Sequence, residues 1–352
     1  MERLFYLDIK DTFFYKSNTA NASSKPRIDV GKIASEFGFK NIILTSRLFD
    51  NVKNKNICHF LRWVNAKWLG VQVLQLKSVK NSIVLIQYPF LNGRMWPIVQ
   101  AIRENNQIIV LVHDVESLRY DVDEKREMDL FNMANVLIVH TEEMEEFLYK
   151  RGCKTHVVHL HFFDYLTSYT PSKKVDSQQL DILFAGNLNK SSFLQKLSLL
   201  GVEESMRFLI YGSNRKHIAF GKSVIYKGIF HNEHIETVEG NWGLVWDGED
   251  IDYCSGIYGD YIRINAPFKF SLYLALGIPV IVWSQSAMAQ YVETMHLGIC
   301  VNAIGDIRAK ISMLSQSQIK EITDGVDIYS QRVRKGQMLT CALQQSISFL
   351  CP

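Results

Sequence analysis

The sequence predicts an α/β protein with two doubly wound, Rossmann-like domains that face a central cleft. Short apolar runs alternate with amphipathic segments of about ten residues, a pattern that is typical of parallel βαβ units. The alternation stops at a polar stretch, residues 167–179, and then starts again. With 352 residues the chain is also too long for one domain of ordinary size.

The first predicted domain covers residues 1–166. Its first strand, 3–9, leads into a polar loop, and the amphipathic helix after that loop ends near Gly38. Strands and helices then alternate as far as residue 160. The remaining strands are predicted at 41–44, 82–87, 107–112, 136–140 and 155–160, and the helices at 95–103, 123–133 and 141–150.

The second predicted domain covers residues 180–336 and follows the linker, 167–179. Its runs at 243–246 and 279–283 are too short and too evenly hydrophobic for surface strands, which indicates burial on both faces. A last helix within 337–352 is apolar enough to need a partner surface. The other strands are predicted at 181–185, 206–211, 223–227 and 299–301, and the helices at 304–314 and 319–336.

Residues 243–283 predict a strand, loop, helix and strand unit around which the second domain is organised. Pro267 stands at a first helical position, where its missing N–H is not needed, and the helix ends at Gly277. Lys269 therefore lies in the first turn, beside backbone N–H groups and the positive end of the helix dipole. A bound anion would be held by the N–H groups, the dipole and the ammonium together. Alternatively, Lys269 is a solvated surface lysine.

Ligands of open parallel sheets bind beyond the carboxyl ends of the strands, and three such ends of the second domain, together with the helix start at 267–269, carry glycine or polar residues. Glycine permits a close approach of the backbone to a ligand, although it is also common in plain turns. We expect a nucleotide-diphosphate site here, with Tyr211 near the base, Asn187 and Lys190 near ribose or phosphate, and Lys269 on the diphosphate. The full predicted site comprises Gly186, Asn187, Lys190, Tyr211, Gly212, Trp246, Asp247, Pro267 and Lys269.

Three residues are candidates for the chemical step. His113 and Asp114 end a buried strand of the first domain and could orient a sugar or act as general base toward an acceptor hydroxyl. Equally, Asp114 could be a helix N-cap beside a hydrogen-bonded histidine. Asp260 is a third candidate, unranked against Asp114. The loop that contains Thr19 is expected either to close over the donor or to lie on the surface.

Composition and chain ends predict a folded cytoplasmic protein. Hydrophobic residues make up 47% and charged residues 21%, and the net charge of +3 indicates no partner by itself. The six cysteines show no metal-binding spacing and suit a reducing compartment. The amino terminus does not resemble a signal peptide, and no apolar run approaches the roughly 20 residues of a membrane span.

Residues 51–80 contain six basic residues and no acidic one, interleaved with Phe60, Trp63 and Trp68. Such a segment either rests on an anionic membrane where a lipid-linked acceptor is found, or is an ordinary core helix with a solvated face. Nucleic acid is not expected as a partner, because the basic residues are few and belong to no recognisable module.

Several motifs together resemble the bacterial β-1,6-galactofuranosyltransferases of O-antigen assembly and, more distantly, the glucosyltransferases that extend sugars on streptococcal serine-rich adhesins. The motifs are Cys254-Ser255-Gly256, Gly259-Asp260-Tyr261, Asn265, Pro267, Lys269, Ser271-Leu272-Tyr273-Leu274 and Pro279-Val280, with Val112-His113-Asp114, Leu118-Arg119, Phe163-Asp164-Tyr165-Leu166 and Ala185-Gly186-Asn187-Leu188.

This resemblance implies the GT-B fold, in which the carboxyl-terminal helix, here 337–352, packs back on the first domain. It also implies that Thr19, Tyr211 and Lys269 contact the nucleotide, with Lys190 standing where relatives carry arginine. Lysine keeps that charge but not the two-pronged geometry of arginine.

The resemblance also bears on the mechanism. Retaining GT-B enzymes carry two glutamates near the Gly-x-Pro break, and the helix FKFSLYLALG holds neither. A family that forms β-linkages favours an inverting displacement on an α-linked UDP-sugar. GT-B sites neutralise the leaving group with basic side chains and helix dipoles, so we expect no metal and no cofactor beyond the UDP-sugar donor.

The resemblance thus predicts a glycosyltransferase that moves a sugar from a UDP donor to a growing cell-surface glycan, with galactofuranose as the favoured sugar. The first alternative is a UDP-glucose or other pyranose transferase of the same fold. Others are a non-catalytic subunit that steadies a partner transferase, and a nucleotide-sugar epimerase that needs no acceptor. The acceptor, the linkage and the formation of a homo-oligomer are left open.

Overall fold

Two parallel six-stranded sheets form the framework of the computed structural model, which confirms the predicted fold class. The structure describes residues 3–11, 24–46, 55–89, 95–171, 179–200, 206–214 and 224–351. The first sheet has one apolar core on each face, and the core on one of these faces continues into the second domain. This two-sided burial explains why the strands are nearly continuous apolar runs.

The first domain alternates strands and helices as the sequence predicts. Two of its elements, the helix at Met95–Arg103 and the strand at Gln107–Val112, match the predicted bounds to the residue. Its elements are β1 (Arg3–Asp11), α1 (Lys25–Phe37), β2 (Lys40–Ser46), α2 (Lys55–Leu76), β3 (Ser82–Tyr88), α3 (Met95–Arg103), β4 (Gln107–Val112), α4 (Glu124–Phe131), β5 (Val136–Val139), α5 (Glu142–Lys150) and β6 (His156–His159).

The second domain repeats the alternation after a stretch without regular structure. Its elements are β7 (Leu180–Ala185), α6 (Phe193–Lys196), β8 (Met206–Tyr211), β9 (Val224–Gly228), β10 (Trp242–Val245), α7 (Gly256–Tyr261), α8 (Phe268–Ala275), β11 (Val280–Trp283), α9 (Ala289–Thr294), β12 (Gly298–Val301), α10 (Ile307–Ser312), α11 (Gln316–Arg334) and α12 (Gln337–Leu350).

Two predicted helix starts of the second domain were wrong. Pro267 is the N-cap of α8 and not its first helical residue, since its ψ of 135° is extended. Helix α11 begins three residues earlier than predicted, because Ser315 and Gln318 form a reciprocal capping box. The short helices α6, α7 and α9 were not predicted, since each is too short for a periodic apolar pattern.

The strand orders locate the crevices of the two sheets. They are β2-β1-β3-β4-β5-β6 and β12-β11-β10-β7-β8-β9. In the second sheet, chain progression runs outward from β7 through β9 and then resumes on the other side at β10. The topological switch point therefore lies between β7 and β10, and ligands of open α/β sheets bind outside the carboxyl ends of the strands at such a point.

The two domains contact each other through the carboxyl end of β5. The ring nitrogen Nδ1 of His140 accepts a hydrogen bond from the Ala266 N–H at 3.2 Å, and the Thr141 hydroxyl donates to the Ile264 carbonyl at 2.7 Å. The Glu142 carboxylate accepts a further bond from the Tyr291 hydroxyl. The first two bonds hold the segment that enters α8, and the third holds α9.

Helix α12 packs against α1, β5 and β6 of the first domain. The carboxylate of Asp164 accepts hydrogen bonds from the backbone N–H groups of Met338 and Leu339, at 3.0 and 2.8 Å. These are first-turn groups with no partner within the helix, so Asp164 caps the helix that crosses between the domains.

Candidate functional site

The switch point of the second sheet brings three predicted segments together. Strand β7 ends at Ala185 and is followed by Gly186, while β10 ends at Val245 and is followed by Trp246 and Asp247. Lys269, in the first turn of α8, reaches into this position. Its ammonium Nζ lies 2.8 Å from the Trp246 carbonyl oxygen and 2.8 Å from Asp247 Oδ1.

The surroundings of Lys269 resolve the conflict between its charge and the helix dipole. Its side chain is only 10% exposed and lies over the ring of Phe184, 4.5 Å from the ring centroid. A buried ammonium needs a charged or polar partner, and the Asp247 carboxylate supplies one. Two of the three ammonium hydrogens thus have hydrogen-bond partners in the protein.

Gly186 and Gly212 form the floor beside Lys269. The Gly186 N–H donates to the Tyr211 carbonyl at 3.1 Å, so the loops after β7 and β8 lie backbone to backbone. A Cβ on Gly212 would stand 2.0 Å from the Gly186 carbonyl oxygen, and the φ of Gly212 is +147°. A Cβ on Gly186 would lie 3.9 Å from the Lys269 side chain. Only glycine at position 212 allows this close approach.

The aromatic residues predicted for the site are buried beneath it. The Tyr211 side chain is 4% exposed, and its hydroxyl accepts a hydrogen bond from the Glu239 N–H at 3.0 Å. Trp246 is fully buried, and its indole N–H donates to the Asp250 carbonyl. In this structure both rings support the loops, and only the Trp246 carbonyl reaches the Lys269 ammonium.

The outer part of the predicted ring is more open. Asn187 is exposed and follows Gly186 directly. The Lys190 ammonium lies 4.5 Å from the centroid of the Tyr258 ring. Tyr258 belongs to the unpredicted helix α7 and was missed, because glycine-rich loops give no signal for an aromatic site residue. Thr19 lies outside the described residues.

Asp114 stands at the carboxyl end of β4 in the first domain. It pairs with the Arg119 guanidinium, and its own side chain is 33% exposed. Arg119 in turn lies over the ring of Tyr261, a residue of α7 in the second domain. The Tyr261 hydroxyl accepts a hydrogen bond from the Val115 N–H at 2.9 Å. Asp114 therefore lies where the two domains meet, and it is not a helix N-cap, since Val115 precedes the next helical turn.

His113 is buried behind Asp114. One of its ring nitrogens, Nε2, hydrogen-bonds to the amide oxygen of Gln87, and its ring stacks on Phe163 with centroids 4.8 Å apart. Burial holds the pKa of His113 well below its usual value, and the nearby Arg27 and His140 lower it further. A neutral imidazole whose Nε2 is directed at an amide oxygen donates there, so His113 positions the loop.

Two further residues of this region were not singled out from the sequence. His140 is 1% exposed, and burial lowers its pKa to about 4, partly opposed by Asp114 and the Val112 carbonyl. Glu127 is 3% exposed and accepts hydrogen bonds from the Tyr88 hydroxyl at 2.6 Å and the Glu116 N–H at 2.7 Å. A signal for Glu127 existed, because it is a charged residue on the inward face of an amphipathic helix.

Asp260, the other candidate carboxylate, is exposed on α7 next to the buried Tyr261. Within the described part of the chain, no three His, Cys, Asp or Glu side chains are grouped so that they could hold a metal ion. Nor is any described helix both long and apolar enough to cross a bilayer.

Comparison with known proteins matches nearly the whole chain to one family. Residues 12–162 match the amino-terminal domain, and residues 182–346 the carboxyl-terminal domain, of the glucosyltransferase 3-like family. Beta-1,6-galactofuranosyltransferase WbbI of Escherichia coli (strain K12) is 29% identical over 303 residues, which are 80% of this chain and 87% of that protein. Glucosyltransferase 3 of Streptococcus gordonii is 23% identical over 330 residues, 88% of this chain and 89% of that protein.

Solved structures share the architecture at low sequence identity. Sucrose-phosphate synthase from Thermosynechococcus elongatus aligns with a TM-score of 0.67 at 12% identity, over 99% of this chain and 100% of that one. The lipopolysaccharide outer core galactosyltransferase WaaB aligns with a TM-score of 0.57 at 12% identity, over 99% of both chains. Both structures have the GT-B fold. The chain belongs to the glucosyltransferase 3-like family and is a glycosyltransferase.

Proposed function

We propose that this glycosyltransferase moves a hexosyl group from a UDP donor to a growing cell-surface glycan, and that the preferred candidate for this group is galactofuranose. One observation carries the donor half of the proposal. The Lys269 ammonium, the start of α8 and the Gly186 backbone meet outside the switch point of the second sheet. The first-turn N–H groups of a helix and a cation together suit a diphosphate, and glycine at position 186 leaves room beside them.

Two comparisons support the choice of donor. The relative named a β-1,6-galactofuranosyltransferase is 29% identical to this chain. A trehalose-6-phosphate enzyme of the same fold, with a TM-score of 0.61 and 9% identity, is described as bound with UDP-2-fluoro glucose. The first favours galactofuranose as the sugar. The second is consistent with a UDP carrier and keeps a UDP-pyranose as the alternative donor.

We further propose an inverting displacement in which Asp114 is the general base. The acceptor hydroxyl oxygen attacks the anomeric carbon, its proton passes to the Asp114 carboxylate, and the bond from that carbon to the UDP oxygen breaks with its electron pair on UDP. Asp114 is favoured over His113, because the imidazole is buried against Gln87. It is favoured over Asp260 by its position where the two domains meet. The departing diphosphate is stabilised by Lys269 and the amides beside it.

A donor panel tests the proposal. Purified protein is incubated with UDP-galactofuranose, UDP-galactopyranose and UDP-glucose, and UDP release is followed with and without a glycan acceptor. We expect UDP-galactofuranose to be consumed fastest and Asp114→Asn to abolish transfer while UDP still binds. Preferred consumption of UDP-glucose would replace galactofuranose with the pyranose. UDP binding without turnover of any donor would indicate a non-catalytic subunit, and donor isomerisation without acceptor an epimerase.

A further inference from the structure

Helix α2 turns its most apolar side chains away from the protein. Its inward face includes two amides, Asn65 and Gln72, which are each 7% exposed, beside Leu69 and Leu76. Its outward face carries seven large apolar side chains that are 41% to 62% exposed. These residues, called here the outer face of α2, are Ile57, Phe60, Trp63, Val64, Trp68, Val71 and Leu74.

Hydrogen bonds to the edge of the first sheet fix this orientation. The Gln72 amide oxygen accepts from the Thr45 N–H at 2.8 Å, and the Gln72 amide nitrogen donates to the Thr45 carbonyl at 3.0 Å. Thr45 belongs to β2, the edge strand, whose outer backbone groups need partners. The Trp68 indole N–H donates to the Thr45 hydroxyl at 3.1 Å. Rotating the apolar face inward would break all three bonds.

The outer face of α2 is concentrated and aromatic. Of the 21 large hydrophobic side chains that are exposed among the described residues, seven lie on this one helix, so they form a patch. The rings of Phe60 and Trp63 stack with centroids 6.2 Å apart, and the Lys67 ammonium lies 5.7 Å from the Trp63 ring centroid. Exposed tryptophans beside lysines are typical of helices that lie in a membrane interface.

Charge decides between a membrane and a second copy of the chain. Residues 51–80 contain six basic residues and no acidic one. Lys67, Lys77 and Lys80 are exposed. A two-fold contact between two α2 helices would bring like charges together without a compensating carboxylate on either helix. An anionic lipid surface attracts the same lysines and accepts the apolar side chains.

The position of α2 places part of its outer face at the same end of the first sheet as the cleft. Strands β1, β2 and β3 are parallel, so the helix between β2 and β3 runs antiparallel to them. Trp68 contacts Thr45, one residue before β2 ends, and residues 57–64 therefore extend past the carboxyl end of the sheet. Asp114 lies at that same end, so a surface against these residues lies on the cleft side of the first domain.

We propose that the outer face of α2 is a docking surface for an anionic lipid bilayer, on which the helix lies parallel to the membrane plane. The lysines provide the attraction and the aromatic residues enter the headgroup region. The surface itself is independent of the sugar transferred. Delivery of a lipid-anchored acceptor to the cleft from this side rests on the proposed function.

Vesicle co-sedimentation of the full chain tests the proposal. Phosphatidylcholine vesicles with and without phosphatidylglycerol are compared at low and high salt, for the wild type and for Trp63→Ser and Lys67→Glu. Met313→Ser and Lys154→Glu are the matched controls, since both side chains are exposed and neither belongs to α2. Circular dichroism and UDP release from the donor confirm that every variant is folded and active.

We expect binding to phosphatidylglycerol vesicles that falls with salt. Trp63→Ser should weaken it about tenfold. Lys67→Glu changes two unit charges at about fivefold each, so it should weaken binding about 25-fold, while the controls bind like the wild type. Equal binding to both vesicle types, or no effect of the α2 variants, would overturn the proposal. So would a concentration-dependent dimer in sedimentation velocity that Trp63→Ser abolishes, because the face would then join two copies.

Discussion

Acidification should weaken the contact between the domains through His140. Its Nδ1 accepts a hydrogen bond from the Ala266 N–H, which holds the chain just before α8 and Lys269. Burial lowers the pKa of His140 from 6.5 to about 4. The unfolded chain therefore takes up a proton at this histidine as the pH falls below 6.5, whereas the folded chain does not until about pH 4. The contribution of His140 to the free energy of unfolding is therefore fully present above pH 6.5, and it is lost as the pH falls from 6.5 to about 4.

The size of the effect follows from the two pKa values. Each tenfold difference in proton affinity corresponds to about 1.4 kcal/mol, so His140 accounts for a loss of about 3 kcal/mol in unfolding free energy by pH 4 and about 2 kcal/mol by pH 5. Urea unfolding of the wild type and of His140→Gln, at about pH 7.5 and about pH 5, measures it. Glutamine keeps an acceptor for the Ala266 N–H and does not titrate.

Two other histidines, the buried His113 and the half-buried His161, contribute with the same sign. Burial also lowers the pKa of His113 and of His161, so the wild type loses stability at low pH through all three. The difference between the wild type and His140→Gln isolates His140. We expect the variant to lose about 2 kcal/mol less than the wild type between the two pH values. An equal loss in both proteins would refute the assignment of this pH dependence to His140.

Three further substitutions test the framework of the site. Gly212→Ala should lower the free energy of unfolding in urea by about 3 kcal/mol and abolish UDP binding, because the new Cβ meets the Gly186 carbonyl. Gly228→Ala is the control, since Gly228 also has a positive φ but no neighbour within 4 Å of a Cβ. It should lower the free energy of unfolding by only about 1 kcal/mol. Asp164→Ala should lower the free energy of unfolding by about 1 kcal/mol or more, because two N–H groups of α12 lose their acceptor. Amide hydrogen exchange in the first turn of α12 should become faster, and unchanged exchange would contradict the capping role. Tyr261→Phe leaves the buried Val115 N–H without its acceptor. The free energy of unfolding should therefore fall by about 1–3 kcal/mol, and kcat/KM should fall as well. A variant with the unfolding free energy and the kcat/KM of the wild type would show that this hydrogen bond does not join the domains.

The strands could be predicted because buried parallel strands consist of consecutive apolar residues. Strands β4 and β8 match their predicted bounds to the residue, since each contains a buried apolar run of at least four residues. Helix α7 was missed because its six residues, in a glycine-rich segment, carry no periodic apolar pattern. Length and periodicity therefore set what the sequence could predict of the fold.

The site was predictable in its place and less so in its contacts. Strand order alone puts Gly186, Asp247 and Lys269 near one crevice. The Lys269–Asp247 pair joins residues 22 positions apart in sequence, and no local pattern specifies it. Tyr211 follows an apolar strand as a ligand-facing residue would, yet its hydroxyl is bonded to the Glu239 N–H. Which way an aromatic ring turns at a strand end depends on tertiary neighbours.

Calorimetric titration with UDP and with uridine tests the central claim most directly. The wild type and Lys269→Ala are compared, with Lys320→Ala as a control, since Lys320 is an exposed lysine of α11 that pairs with Asp324. We predict that Lys269→Ala weakens UDP binding about 10- to 100-fold, as expected for the loss of charge-assisted hydrogen bonds, and leaves uridine binding unchanged. If Lys269→Ala binds UDP as tightly as the wild type, this lysine does not hold the diphosphate.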